Sequence, residues 1–254
     1  MINHIVLFSG GIGSWAAARR VAEQNGTENL ILLFTDTRME DADLYRFLME
    51  AAANVGGELV TLADGRTPWQ VFKDERYLGN SRVDPCSRIL KRDLARKWIN
   101  EFNPETTTIY VGIDWSEQHR WERMKDRWLP YTVEAPLCEP PLVSKEDLFN
   151  DLRAAGIKVP ELYKLGFPHN NCGGFCIKAG IAHFTHLLKV MPENYHYHEV
   201  QEQYIRDYLD KDVSILKDRR GGVQKRYTLT DLRHDIETGN RPEGDWGGCG
   251  CFVG

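Results

Sequence analysis

The sequence predicts an α/β protein: a doubly wound, mostly parallel five-stranded sheet with helices on both faces, plus a C-terminal helical appendage. Three observations carry this. Short apolar runs alternate with helix-like segments through the first half, the pattern of a parallel sheet covered on both faces. A glycine-rich turn, "SGGIGSW" at residues 9–15, directly follows the first apolar run, where the carboxyl ends of such strands gather ligands. After Pro140 the alternation stops and only helix-like stretches follow.

Taken in order, "HIVLF" reads as the first strand and "SWAAARRVAEQ" as a helix stopped at "NGT". "NLILLFTD" is the second strand, and "EDADLYRFLMEAAANV" an amphipathic helix ended by Gly56 and Gly57. "ELVTL" is the third strand. "DPCSRILKRDLARKWINEF" reads as one helix, with Asp84 in the cap position and Pro85 in the first turn. "TTTIYVGID" gives the fourth strand and "YTVEAPL" the fifth, closing a nucleotide-binding unit over residues 1–140. Beyond it, Ser144 and Asp147 form a capping box at the head of "SKEDLFNDLRAAG", and "IKAGIAHFTHLLKV" and "HEVQEQYIRDYL" add two helices. The last 35 residues are glycine-rich, polar and poorly patterned. Residues 141–254 are thus expected to be a helical, cysteine-containing region packed on the sheet.

Composition narrows the function. The 254 residues, 42% hydrophobic, suffice for one sizeable core. A net charge of -5 argues against broad electrostatic capture of nucleic acid. No apolar run approaches the roughly 18 residues of a membrane span, so a cytoplasmic protein without a membrane partner is expected. Its six cysteines then read as thiols or metal ligands rather than disulfides.

The turn at Ser9, Gly10, Gly11, Gly13 and Ser14 suits an anion. Glycines admit close backbone approach, a helix start supplies amides, and the two serines add hydroxyls. Gly11, Gly13 and Ala16 match the dinucleotide pattern G-x-G-x-x-G/A, while the same letters match the S-G-G-x-x-S loop of ATP pyrophosphatases. No Gly-Lys-Ser/Thr follows, which excludes a Walker-type loop. Asp36, ending the second strand, is placed for a ribose in either reading.

Further segments separate the two. "FTDTRMED", "PCSRILKRD", "GIDWSEQHR" and "APLCEPPLVSKEDLFNDLRAAGIKVPELYKLGFPHNNCGGFC" follow the glycine turn in the order found in one family. The chain resembles the PP-loop ATP pyrophosphatase, or adenine nucleotide alpha-hydrolase, superfamily in its phosphoadenosine phosphosulfate (PAPS) reductase-like branch, of the phage and mobile-element type. The resemblance covers roughly residues 4–180. It implies ATP, or an adenylyl sulfate nucleotide, bound by Ser9, Gly10, Gly11, Gly13, Ser14, Asp36, Thr37 and Gly112, with Mg2+ accompanying ATP. It implies an ATP pyrophosphatase that adenylates its acceptor, with Lys91, Glu117 and Arg120 as candidate catalytic residues. Glu117, His119 and Arg120 are expected on a loop beyond the fourth strand, near the phosphates.

The chain also departs from the reductases. Cys86-Ser87 stands for their Cys-Cys pair, Cys172-x-x-x-Cys176 for their Cys-x-x-Cys, and Asp114 for an arginine, and their Glu-Cys-Gly-Leu-His tail is absent. Sulfonucleotide reduction is therefore the alternative, and sulfur transfer or a related modification the main reading. A third is a non-catalytic, nucleotide-sensing subunit of a defence or modification system. The acceptor is left open among a base in tRNA or DNA and a small metabolite.

Cys86, Cys172, Cys176, Cys249 and Cys251 form a candidate thiolate set for an iron–sulfur or zinc site. The resemblance favours a 4Fe-4S cluster over Zn2+. The tail "GDWGGCGCF" is expected to fold back so that Cys249 or Cys251 completes the set. Cys138 reads as core, and the paired histidines His183/His186 and His196/His198 as packing or surface groups.

Overall fold

The computed structural model describes residues 2–79, 83–218, 222, 224–240 and 244–248. Five strands form one sheet: β1 (Asn3–Leu7), β2 (Leu30–Asp36), β3 (Glu58–Ala63), β4 (Thr107–Tyr110) and β5 (Thr132–Glu134). Their order is β3-β2-β1-β4-β5 and every pairing is parallel. The chain thus winds outward from β1 in both directions, and the crevice between β1 and β4 is the topological switch point.

Period-two alternation on β1 sorts the helices onto the two faces. Val6 and Phe8 point into one layer with α1 (Ile12–Asn25) and α2 (Ala42–Val55). Ile5 and Leu7 point into the other, against α5 (Leu94–Ile99) and α6 (Gln118–Trp128), the latter through Met124 and Trp128. In the first layer Trp15 of α1 is wholly enclosed, and its indole N–H donates to Asn54 Oδ1 of α2 at 3.0 Å, as a buried indole requires.

The remaining elements are α3 (Pro68–Asp74), α4 (Pro85–Ser87), α7 (Lys145–Ala154), α8 (Glu161–Lys164), α9 (Ile181–Val190), α10 (Pro192–Leu209), the antiparallel pair β6 (Leu216–Asp218) and β7 (Lys225–Tyr227), and α11 (Leu229–Glu237). The two halves of the sequence interlock across residue 140. Leu148 and Leu152 of α7 complete the α1/α2 layer, whereas Trp69 and Phe72 of α3 join the hydrophobic cluster of α9, α10 and α11. Among the described residues, no helix is long and apolar enough to cross a membrane.

Several elements depart from the sequence reading. The helix expected from Asp84 onward is broken: α4 is followed by a π turn over Arg88–Asp93 before α5 begins. Asp84 does occupy the N-cap position, with Pro85 in the first turn, but its side chain makes no cap hydrogen bond. Its carboxylate instead takes both guanidinium nitrogens of Arg92, at 2.9 and 3.2 Å, a charge-assisted pair stronger than a backbone cap. Beyond β4 the expected loop is a 3-10 turn, Trp115–Glu117, leading straight into α6, so His119 and Arg120 lie in its first turn. The polar last 35 residues contain β7 and α11, whose capping box of Thr228 and Asp231 starts the helix.

Candidate functional site

The glycine turn lies at the switch point. Phe8 N–H still pairs with Leu33 O at 2.8 Å, and the chain then turns through Gly10 at φ +76. That left-handed conformation is strained for any residue with a Cβ. Gly11 is the N-cap of α1 and has no side chain to cap it, so the amides of Gly13 and Ser14, beyond Ile12, remain at the helix start. Ser14 Oγ donates back to Gly11 O at 2.8 Å and lies 3.4 Å from Ser9 Oγ. Tyr163 of α8 reaches over the turn, its hydroxyl accepting from Ile12 N–H at 3.2 Å.

The turn is pressed against the end of β4. A Cβ on Gly13 would lie 2.6 Å from Gly112 O, and one on Gly112 would strike the backbone of Gly13 and Ser14. Gly112 is thus required by close approach, and the structure brings it together with the turn formed by Ser9, Gly10, Gly11, Gly13 and Ser14.

At the end of β2, Asp36 is buried and engaged by its own turn. Its Oδ1 accepts from Arg38 N–H at 2.8 Å and from Tyr45 hydroxyl at 2.9 Å, and Arg38 guanidinium stands 3.6 Å from Oδ2. Thr37 Oγ1 donates to Glu40 Oε1 at 2.9 Å. A ribose at Asp36 would share the carboxylate with these groups.

A cationic flank stands beside the turn. Glu117 and Arg120 form an ion pair. Lys145 donates to Pro168 O at 2.7 Å and lies 5.0 Å from the ring centroid of the same Tyr163 that contacts Ile12. Burial lowers the Lys145 pKa against the raising effect of Asp114 and Glu117. His169, on the adjoining loop, is held down to about 4, by desolvation of its ring first and the charge of Lys145 second. Lys145, Tyr163 and His169 were not legible as site residues, because they lie far from the glycine turn in sequence.

The third candidate catalytic residue, Lys91, belongs to a different group. The π turn carries it inward, where it is 4% exposed and lies 3.7 Å from both Glu40 Oε1 and Cys172 Sγ. Such interruptions of a helix recur at functional positions. Glu40 in turn accepts from Cys172 N–H. Cys172, Gly173 and Gly174 all take positive φ, and Asn170, two residues earlier, donates from Nδ2 to Gly10 O at 2.8 Å. The cysteine segment is therefore strapped across the carboxyl ends of β1 and β2.

Cys86 flanks this group. Its thiol is pushed up to about 12, by burial first and by the charge of Cys172 second. Cys176 is farther along, its thiol 3.7 Å from Gly248 O. The described part of the tail does fold back. Gly180 N–H pairs with Trp246 O at 2.9 Å, Ala182 N–H with Asp245 O at 3.0 Å, and Ala179 bridges Gly247. Gly248 is thereby set beside Cys176, while Cys249 and Cys251 lie outside the described residues. Among the described residues no three His, Cys, Asp or Glu side chains form a metal-holding group. Cys138 packs on the sheet with its thiol 3.5 Å from Ile113 O. His183 and His186 each donate from Nε2 to a backbone carbonyl, Gly174 O and Leu165 O, at 2.7 Å.

Fold and site together define a doubly wound α/β protein with a glycine turn at the switch point, flanked by cations and crossed by a thiol-bearing strap. No family model and no curated protein matches the chain. Among solved structures it is similar to phosphoadenylyl-sulfate (PAPS) reductase from Candida auris in its phosphate complex. Identity there is 14% and the TM-score 0.45, over 65% of this chain and 78% of that one. It is also similar to NH3-dependent NAD synthetase from Campylobacter jejuni, at 13% identity and a TM-score of 0.41, over 83% of this chain and 84% of that one.

Proposed function

We propose that the chain is an adenylating enzyme of the PP-loop type, which holds the phosphates of Mg·ATP on the Ser9–Ser14 turn and serves sulfur transfer or a related modification. The observation that supports this is the position of that turn at the switch point, closed onto Gly112 by a contact that only glycine permits. An oxygen of the acceptor attacks the alpha phosphorus. The bond from that phosphorus to the bridging oxygen breaks, and pyrophosphate leaves with its Mg2+. The chain's part is positioning and charge neutralisation: amides at the α1 start hold the departing phosphates, and Arg120 and Lys145 offset their charge.

The number and order of the thiols, rather than a preformed group among the described residues, support a soft-metal site. Cys86 and Cys172 are close enough for each charge to oppose the other, and Cys176 lies beside the residue preceding Cys249. Cys86, Cys172 and Cys176, with Cys249 or Cys251, would hold a 4Fe-4S cluster, which when bound would supply sulfide or electrons near the nucleotide.

The test incubates the full chain, purified anaerobically, with Mg·ATP and candidate acceptors: tRNA, DNA and small metabolites. Release of pyrophosphate is expected with one acceptor class, the adenylyl group passing to the acceptor and leaving as AMP once a nucleophile breaks the bond between the acceptor's activated carbon and its adenylated oxygen. Binding without conversion in every case would leave the nucleotide-sensing role instead. Iron and sulfide analysis of the same preparation decides the cluster, and zinc in place of both would overturn it.

A further inference from the structure

We infer that Asn170 is a positioning residue for the phosphate-binding turn, setting the direction in which the Gly10–Gly11 peptide presents its N–H. The inference rests on the reading of that turn as a phosphate cradle.

In a trans peptide the carbonyl and the N–H point in opposite directions. Asn170 Nδ2 holds Gly10 O at 2.8 Å from one side, which turns Gly11 N–H toward the other. Among the described residues, Gly11 N–H has no hydrogen-bond partner. It is therefore free to meet an anion, in a loop whose neighbouring helix start already favours one.

The peptide needs such a hold. It joins two glycines, the residue type that allows either orientation at least steric cost, with Gly10 already at positive φ. Were it to flip, Gly10 O would face the anion with the negative end of its dipole. Asn170 opposes the flip because its donor would then lose its acceptor in a site only 2% exposed to solvent.

A second observation separates this role from one in stability. Asn170 Oδ1 is buried and has no hydrogen-bond partner among the described residues. A buried acceptor left unpaired destabilises a fold, so the amide is a poor choice for packing alone. What it supplies is a donor aimed at Gly10. It also ties the turn to the thiol segment, since Cys172 N–H is held by Glu40 two residues farther on.

The test measures binding of Mg·ATP, Mg·pyrophosphate and adenosine to the full chain by titration calorimetry, in wild type, Asn170→Leu and Asn170→Asp. Leucine fills a similar volume, removing both the donor to Gly10 and the unpaired acceptor. Affinity for pyrophosphate and ATP is expected to fall roughly tenfold in Asn170→Leu, the weight of one oriented dipole, with adenosine unchanged; the melting temperature should fall only modestly, because the unpaired Oδ1 is removed together with the donor to Gly10. Asn170→Asp should bind phosphates more weakly still, because a carboxylate cannot donate and adds negative charge. It also serves as the readout if the leucine variant fails to fold. Unchanged pyrophosphate affinity in a folded variant, or adenosine weakened in step with it, would overturn the inference while leaving the phosphate cradle standing. A wild type that binds neither ATP nor pyrophosphate would remove the cradle itself.

Discussion

The contact between the glycine turn and β4 makes a sharp comparison of two alanine substitutions. In Gly13→Ala the new methyl would stand 2.6 Å from Gly112 O, a backbone atom that cannot swing aside. In Gly11→Ala the nearest atom would be Tyr163 hydroxyl at 3.3 Å, the end of a movable side chain. Overpacking of the first kind costs about 1–3 kcal/mol, with backbone clashes at the upper end. Alanine is worth about 1 kcal/mol over glycine inside a helix, and Gly13 lies within α1, which offsets part of the loss. The net destabilisation of Gly13→Ala is then about 2 kcal/mol, or roughly 4–8 °C in melting temperature for a chain of this size. Gly11→Ala, at the cap, where glycine is preferred to alanine, should cost no more than about 1 kcal/mol while weakening phosphate binding. Thermal melts followed by circular dichroism read the first quantity and calorimetric titration with Mg·pyrophosphate the second. Equal melting temperatures for the two variants would refute the close packing of the turn on Gly112.

Three further outcomes follow from the surroundings of the site. His198 accepts from Trp69 indole N–H at 3.1 Å and is held down to about 3, by burial first and by His183 second. The unfolded ring titrates near 6.5, so this stabilisation is complete above that pH and fades as pH falls toward 3. Between pH 8 and pH 5 this ring contributes a loss of about 2 kcal/mol, beside that of His169; by urea unfolding the fall should be smaller by that amount in His198→Asn than in wild type, and identical pH profiles would contradict it. Lys91→Met leaves Glu40 buried without its ammonium and should cost about 3–5 kcal/mol by urea unfolding, with part recovered in Lys91→Met/Glu40→Gln. No recovery in the double variant would mean that the pair is not the source of the loss. Arg120→Ala should lower kcat by roughly 10- to 100-fold with little change in KM if its charge acts on the departing phosphates. A change confined to KM would assign Arg120 to ground-state binding.

The sheet and its ligand-binding end were legible because their signals are local. "HIVLF" followed by "SGGIGS" already contains β1, the turn and the start of α1, and capping residues such as Ser144 and Asp147 mark α7 without tertiary information. The break at Arg88–Asp93 was not legible, since the backbone there departs from α geometry while Lys91 is turned inward onto Glu40 and Cys172, residues distant in sequence. Helix α6 was missed because its strongly polar sequence shows only Met124 and Trp128 as buried anchors. Within the site, the glycines, Asp36 and the cysteines announce themselves by type and spacing. Asn170, Lys145 and Tyr163 do not, because each matters only through a partner that folding brings from far away: Gly10 O, Pro168 O and Ile12 N–H.

The most direct test of the account is titration calorimetry of the full chain with Mg·ATP, Mg·pyrophosphate and NAD. If the Ser9–Ser14 turn holds the phosphates of ATP, ATP should bind more tightly than NAD, pyrophosphate should compete with ATP for one site, and Ser14→Ala should weaken both. NAD bound as tightly as ATP, or ATP bound without competition from pyrophosphate, would contradict it.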